Sequence, residues 1–194
     1  MSLDIEFVRN QFPAFSEPSL HGQAFFENAG GSYTCRQVID RLHRFYTQRK
    51  VQPYSPYPAS QLAGAEMDEA RQRLAAMLGV ETDELSFGPS TTQNTYVLAQ
   101  AFGQMMQPGE AIVVTNQDHE ANSGVWRQLA DAGIVIHEWQ IDPETGSLDI
   151  TGLDHLITDK TRLLTFPHCS NVVGEINPVT DICAKAKAAG VMTV

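Results

Sequence analysis

From residue 84 onward the chain alternates short apolar runs with helical patterns, and this rhythm restricts the fold more than any other feature. Residues 84–87, 111–115, 134–139 and 161–166 read as strands, and "GVMTV" at 190–194 is a further apolar run. Between them lie a helix opening at Ser90, one passing through Trp126 and Leu129 to Gly133, and a short one capped by Thr151 and Asp154. Another starts at Asn177-Pro178, carries Val179, Ile182, Cys183 and Ala186 on one face, and closes at Gly190. Strands separated by helices need crossover connections, so the pattern predicts an α/β fold with a mostly parallel sheet and helices on both faces.

The first eighty residues are more helical. Ile5, Val8 and Phe12 mark an amphipathic helix over 4–15, broken at Pro13, and Phe25-Phe26 reads as a short strand. Thr34 and Gln37 form a capping-box pattern for a helix burying Val38, Leu42 and Phe45. A Pro- and Tyr-rich loop at 51–59 precedes a long helix over 60–78. Its predicted buried face is Ala63, Met67, Ala70, Leu74 and Met77, and Gly79 is its stop.

A hydrophobic content of 42% supports a real core, and a net charge of -10 argues against a nucleic-acid groove or an anionic membrane surface. No apolar run is long enough for a membrane span, and the acidic start is not a signal peptide. Cys35, Cys169 and Cys183 are odd in number and lack CxxC spacing, which fits neither a disulfide framework nor a zinc site. A reducing, cytoplasmic compartment is expected.

Parallel strands end on one edge of their sheet, and ligands bind outside those carboxyl ends. Three predicted strands run directly into polar groups there: Gly88 to Thr92, Asn116 to His119, and His168 to Asn171. The hydroxyls of Ser90, Thr91 and Thr92 at a helix start suit a phosphate or carboxylate, although Ser90 with Gln93 also reads as a plain capping box. The segment lacks the P-loop Lys and the dinucleotide glycines. His119 lies between Asp118 and Glu120. Carboxylates adjacent in sequence point in different directions, so no metal site is assigned, and a solvated loop end is an equal reading. On the residues alone, Asn171 reads as a turn cap before Gly174, His168 as a core histidine, and Cys169 and Cys183 as small buried hydrophobes.

The stretches "FFENAGGSYT", "FGPSTTQNT", "TNQDHEANSGVW" and "TRLLTFPHCSNVVGEINPV" occur in that order. Together they resemble the amino-terminal half of a class V aminotransferase, on the cysteine-desulfurase-like branch of the fold-type I pyridoxal-phosphate enzymes. The resemblance covers about Phe7 to Val194. It implies the amino-terminal part of a transferase large domain, with residues 1–20 as a helical arm and 21–194 as an incomplete cofactor-binding domain. It implies pyridoxal 5'-phosphate as cofactor, an amino-acid substrate and a homodimer. By the same resemblance Ser90, Thr91 and Thr92 bind the cofactor phosphate, His119 stacks on the pyridine ring and shuttles protons, Asn171 bonds near the ring hydroxyl, and Ala29 and Gly30 face the substrate.

The departures from the family pattern also carry information. Pro89 replaces a common Arg, Ser90 replaces a Gly, and Glu120 replaces the second His of a pair. The Asp that pairs with the pyridine nitrogen and the Schiff-base Lys would both follow Val194, and Lys160, Lys185 and Lys187 do not match the latter position. The expectation is therefore a fragment of a longer enzyme, inactive alone. The rival readings are a non-catalytic binding domain that keeps the fold, and an α/β domain for another phosphorylated ligand.

Overall fold

Asp4 accepts the Phe7 N–H at 2.9 Å and so caps helix α1 (Ile5–Asn10). The structure, a computed structural model, describes residues 3–194, and the chain divides into two units, Met1–Phe87 and Gly88–Val194. In the first unit α1 stops at Gln11, earlier than the apolar spacing predicts, because Pro13 opens a separate 3-10 turn over Pro13–Ser16. Helix α2 (Arg36–Arg44) starts at Cys35 without a side-chain cap and runs into a wider π turn, Phe45–Arg49. The capping box expected from Thr34 and Gln37 does not form. Gln37 donates instead to Gln11 Oε1 at 2.7 Å, and Arg36 N–H to Gln11 O at 2.8 Å, tying the end of α1 to the start of α2.

Helix α3 (Pro58–Leu78) begins two residues before the predicted start, with Pro58 in the first turn where its missing N–H costs nothing. It stops at Gly79, whose φ of 70° is the left-handed conformation that glycine accepts without strain. The predicted apolar face is only partly covered. Of that face Ala63 is buried and Leu74 half-buried, but Ala70 is exposed, Met67 is 46% and Met77 84% exposed, and Val38, Leu42 and Phe45 are exposed on α2 and its π turn. Leu42, Phe45, Val51 and Met67 line an open groove of about 730 Å³. Beside it Glu66 gathers Arg41, Arg44 and Arg49 at 3.4, 3.1 and 3.1 Å. The strands predicted at Phe25–Phe26 and 84–87 are absent. A 3-10 turn, Thr82–Glu84, with a capping box to Glu81, takes only Glu84 of the second, and residues 85–87 are irregular.

The second unit is the α/β layer. Its elements are helix α4 (Thr91–Met105), strand β1 (Ala111–Thr115), helix α5 (Glu120–Arg127), strand β2 (Val135–Trp139), helix α6 (Leu153–Leu156), strand β3 (Thr161–Leu164), helix α7 (Val179–Ala188) and strand β4 (Met192–Thr193). The strands form one parallel sheet in the order β2-β1-β3-β4. Every residue of β1 is buried, because both faces of the sheet are covered. On one face Ile112, Val114 and Leu163 pack with Ala99 and Met106 from the α4 segment and with Trp126 and Leu129. On the other, Val113 and Leu164 pack with Leu153 of α6 and Ile182 and Ala186 of α7. Trp126 is fully buried, edge-on to Phe102 at 5.8 Å. The turn at 142–146 forms as expected, with Asp142 accepting the N–H groups of Glu144 and Thr145. The short helical stretch before β3 is capped by Asp149, which accepts from Thr151, and not by the residues expected. No helix among the described residues is long and apolar enough to cross a membrane.

Candidate functional site

The carboxyl ends of β1, β2 and β3 lie on one edge of the sheet because the three strands are parallel. The loops that leave them are knitted together by side chains. Asn116, next after β1, donates to Gln140 Oε1 at 2.7 Å and accepts the Ile141 N–H at 2.9 Å, holding the loop after β2. Gln117 turns inward and is only 2% exposed. Its amide donates to Gly146 O at 2.8 Å, its Oε1 accepts from Asn177 at 2.6 Å, and its carbonyl accepts from Ser170 Oγ at 2.9 Å. Asn177 also donates to Pro167 O at 2.7 Å. The polar cluster that follows β3 therefore meets the loop that follows β1.

Within this frame His119 and Asn171 are both exposed, His119 two residues beyond Gln117 and Asn171 one beyond Ser170. His119 is the N-cap of α5. Its Nδ1 accepts the Ala121 N–H at 3.0 Å, which places the proton of the neutral ring on Nε2 and fixes the ring's orientation. Asp118 accepts the His119 N–H at 2.7 Å and bonds Asn122. Burial pushes the Asp118 carboxyl above its ordinary range, and the bonds from Asn122 and the His119 N–H only partly offset it. Arg127 braces the same corner, bonding Glu138 at 2.6 Å, Ser123 Oγ at 2.8 Å and Thr115 O at 3.3 Å. Glu138 is the main reason its guanidinium is held above its usual range.

Helix α4 presents a second kind of site. Ser90 spends its hydroxyl on the Gln93 N–H at 3.2 Å, so it caps the helix, but by this one bond and not by the reciprocal box read from Ser90 and Gln93. Thr91 and Thr92 occupy the first turn, where N–H groups have no intrahelical acceptor and the helix dipole favours an anion. Both are exposed. Gly88 keeps the approach tight, since a Cβ there would collide with the Asn94 side chain. Free N–H donors and a threonine pair at the α4 start suit an anion, and His119 exposes an imidazole at the start of α5.

A family model, Aminotransferase class-V, matches residues 24–194. The chain belongs to that family. A cysteine desulfurase of Serratia proteamaculans is 35% identical over 196 residues, which cover 98% of this chain and 48% of that protein. A cysteine desulfurase of Yersinia pestis is 34% identical and is covered over 49% of its length. The apo structure of a cysteine desulfurase from Thermococcus onnurineus NA1 superimposes with a TM-score of 0.88 at 24% identity, over all of this chain and 47% of that one. The chain thus spans about half the length of the curated relatives it matches.

In this member of the family several residues lie differently from what their sequence suggests. His168 and Cys169 are exposed, not buried, because the residues after Phe166 turn out of the core into a short antiparallel bridge, Cys169 with Ile176. Cys183 is half-buried, 3.7 Å from Thr193 Oγ1. Ala29 and Gly30 lie in the first unit, in an exposed turn where Gly30 N–H meets Glu27 O at 3.2 Å. Lys185 pairs with Asp154 at 2.6 Å, and Lys50, Lys160 and Lys187 are exposed. No group of three or more potential metal ligands occurs among the described residues. Gln117 and Asn177 are the residues that sequence reasoning missed. For Gln117 the one signal was a run of polar residues directly after the apolar strand 111–115; Asn177 reads only as a helix start before Pro178.

Proposed function

We propose that the strand-end loops and the start of α4 hold pyridoxal 5'-phosphate, and that the whole protein acts on an amino acid by cysteine desulfurase-like or aminotransferase-like chemistry. What supports this most is the bonding of the His119 and Asn171 loops through Gln117 and Ser170 in a member of this family. When bound, the cofactor supplies an electron sink for bond cleavage at the amino acid's α-carbon. The N–H groups of Thr91 and Thr92, with their hydroxyls and Ser90 as the cap, take the phosphate. His119, oriented by its Nδ1 bond, offers a ring face for stacking and an Nε2 proton on its exposed side. Asn171 bonds beside the ring hydroxyl, and Ala29 and Gly30 are proposed as substrate-facing from the family resemblance alone.

Lys160, Lys185 and Lys187 are not proposed as the cofactor's covalent anchor, so the binding proposed for this chain is non-covalent. The whole protein, on the same reading, is a cytoplasmic homodimer. Calorimetric titration of the chain with pyridoxal 5'-phosphate and with pyridoxal tests the proposal. It predicts one site per chain and much weaker binding of pyridoxal. Equal affinity for the two, or no binding of either, would overturn it.

A further inference from the structure

Gln117 makes more of the bonds between the strand-end loops than any candidate ligand-binding residue does. Its side chain is buried and bridges Gly146 O and Asn177 Nδ2, while its main chain takes the Ser170 hydroxyl and gives its N–H to Thr115 Oγ1 at 3.1 Å. The Ser170 hydroxyl in turn accepts the N–H groups of Val172 and Val173 at 3.3 Å, so it shapes the turn that contains Asn171. The turns after β2 and β3 also meet directly, through Ser147 Oγ and Glu175 at 3.2 Å. A side-chain amide buried between a carbonyl acceptor and an amide donor reads both, and no apolar residue satisfies either partner.

We propose that Gln117 is a positioning residue that fixes His119 and Asn171 relative to each other, and so sets the orientation of the bound aromatic ring without touching it. The inference rests on the reading above for the identity of the ring, but not for the coupling of the two loops. The phosphate end is independent, because the start of α4 shares no bond with Gln117 among those described.

Gln117→Met keeps the length and removes both amide bonds. In the 194-residue chain it should weaken pyridoxal 5'-phosphate by roughly tenfold or more, the consequence of leaving buried partners unpaired. Binding of inorganic phosphate, which needs only the α4 start, should stay unchanged. In the ligand-free chain, backbone amide relaxation should show His119 and Asn171 more mobile in Gln117→Met, with Ala99 and Trp126 in the core unaffected. Equal loss of both ligands would mean a general folding defect and would overturn the proposal. So would unchanged amide mobility at positions 119 and 171. If the wild-type chain binds no pyridoxal 5'-phosphate, the cofactor reading falls, and the relaxation comparison still decides whether Gln117 positions the loops.

Discussion

Asn177 Nδ2 donates to Gln117 Oε1 at 2.6 Å, joining the residue before α7's Pro178 to the loop after β1 across 60 residues of chain. Both groups are buried, so the bond's removal is felt as unpaired partners as well as a lost contact. Asn177→Leu leaves Gln117 Oε1 and Pro167 O without a donor and should cost roughly 2–3 kcal/mol. Urea unfolding followed at Trp126 should show a lower midpoint with an unchanged slope.

Helix α4 allows a substitution that separates helix stability from anion binding. Ser90 is extended, with φ -165° and ψ 162°, which is what a following proline requires. Thr91→Pro therefore fits the first helical position and should leave α4 intact, while deleting one N–H donor. Affinity for pyridoxal 5'-phosphate should fall by roughly tenfold, and affinity for pyridoxal should not change. Circular dichroism checks the helix and calorimetry the two ligands.

Glu66 and its arginines predict an acid-sensitive first unit. Burial pushes the Glu66 carboxyl up, but the bonds and charges of Arg44 and Arg49 outweigh it and hold the group below its ordinary value. A carboxylate lowered in the folded state adds stability above its unfolded pKa, and that stability is lost as pH falls through the folded value. Glu66→Gln should cost roughly 1–2 kcal/mol near neutrality, at the upper end for a partly exposed cluster. The gap to wild type should close in the acid range, as measured by thermal melts across pH.

Asp118 works in the opposite sense. Burial raises its carboxyl, so the ionised form is penalised in the folded protein, and the penalty is relieved as pH falls from the raised value towards the unfolded one. Asp118→Asn removes that penalty. Its stability relative to wild type should rise with pH above the ordinary carboxylate range, and a flat difference would contradict the assignment.

The contrast between what the sequence made legible and what it did not is physical. β1 was readable because a strand covered on both faces is almost wholly apolar, a local property, whereas β2 and β3 keep short apolar runs despite His137, Glu138 and Arg162. Phe25-Phe26 and the stretch 84–87 have strand-like composition but find no ladder partner, and pairing is non-local. Gln37 looked like half of a capping box until Gln11, 26 residues away, took its side chain. The apolar spacing of Met67 and Met77 placed them correctly on a helix, but spacing cannot report whether another element covers that face. At the site, Thr91, Thr92 and His119 sit at helix starts that turn chemistry reveals. The Gln117 bonds join the loops after β1, β2 and β3 and do not reach the α4 start; the local polar run marks the loop, but the partners lie 29, 53 and 60 positions away, which local sequence does not reveal.

A crystal structure of the chain soaked with pyridoxal 5'-phosphate tests the central claim most directly. The account predicts the phosphate within hydrogen-bonding distance of the Thr91 and Thr92 N–H groups, the pyridine ring against the face of His119, and the ring hydroxyl beside Asn171. A phosphate at the α4 start with the ring turned away from His119, or the molecule ordered elsewhere, would contradict it.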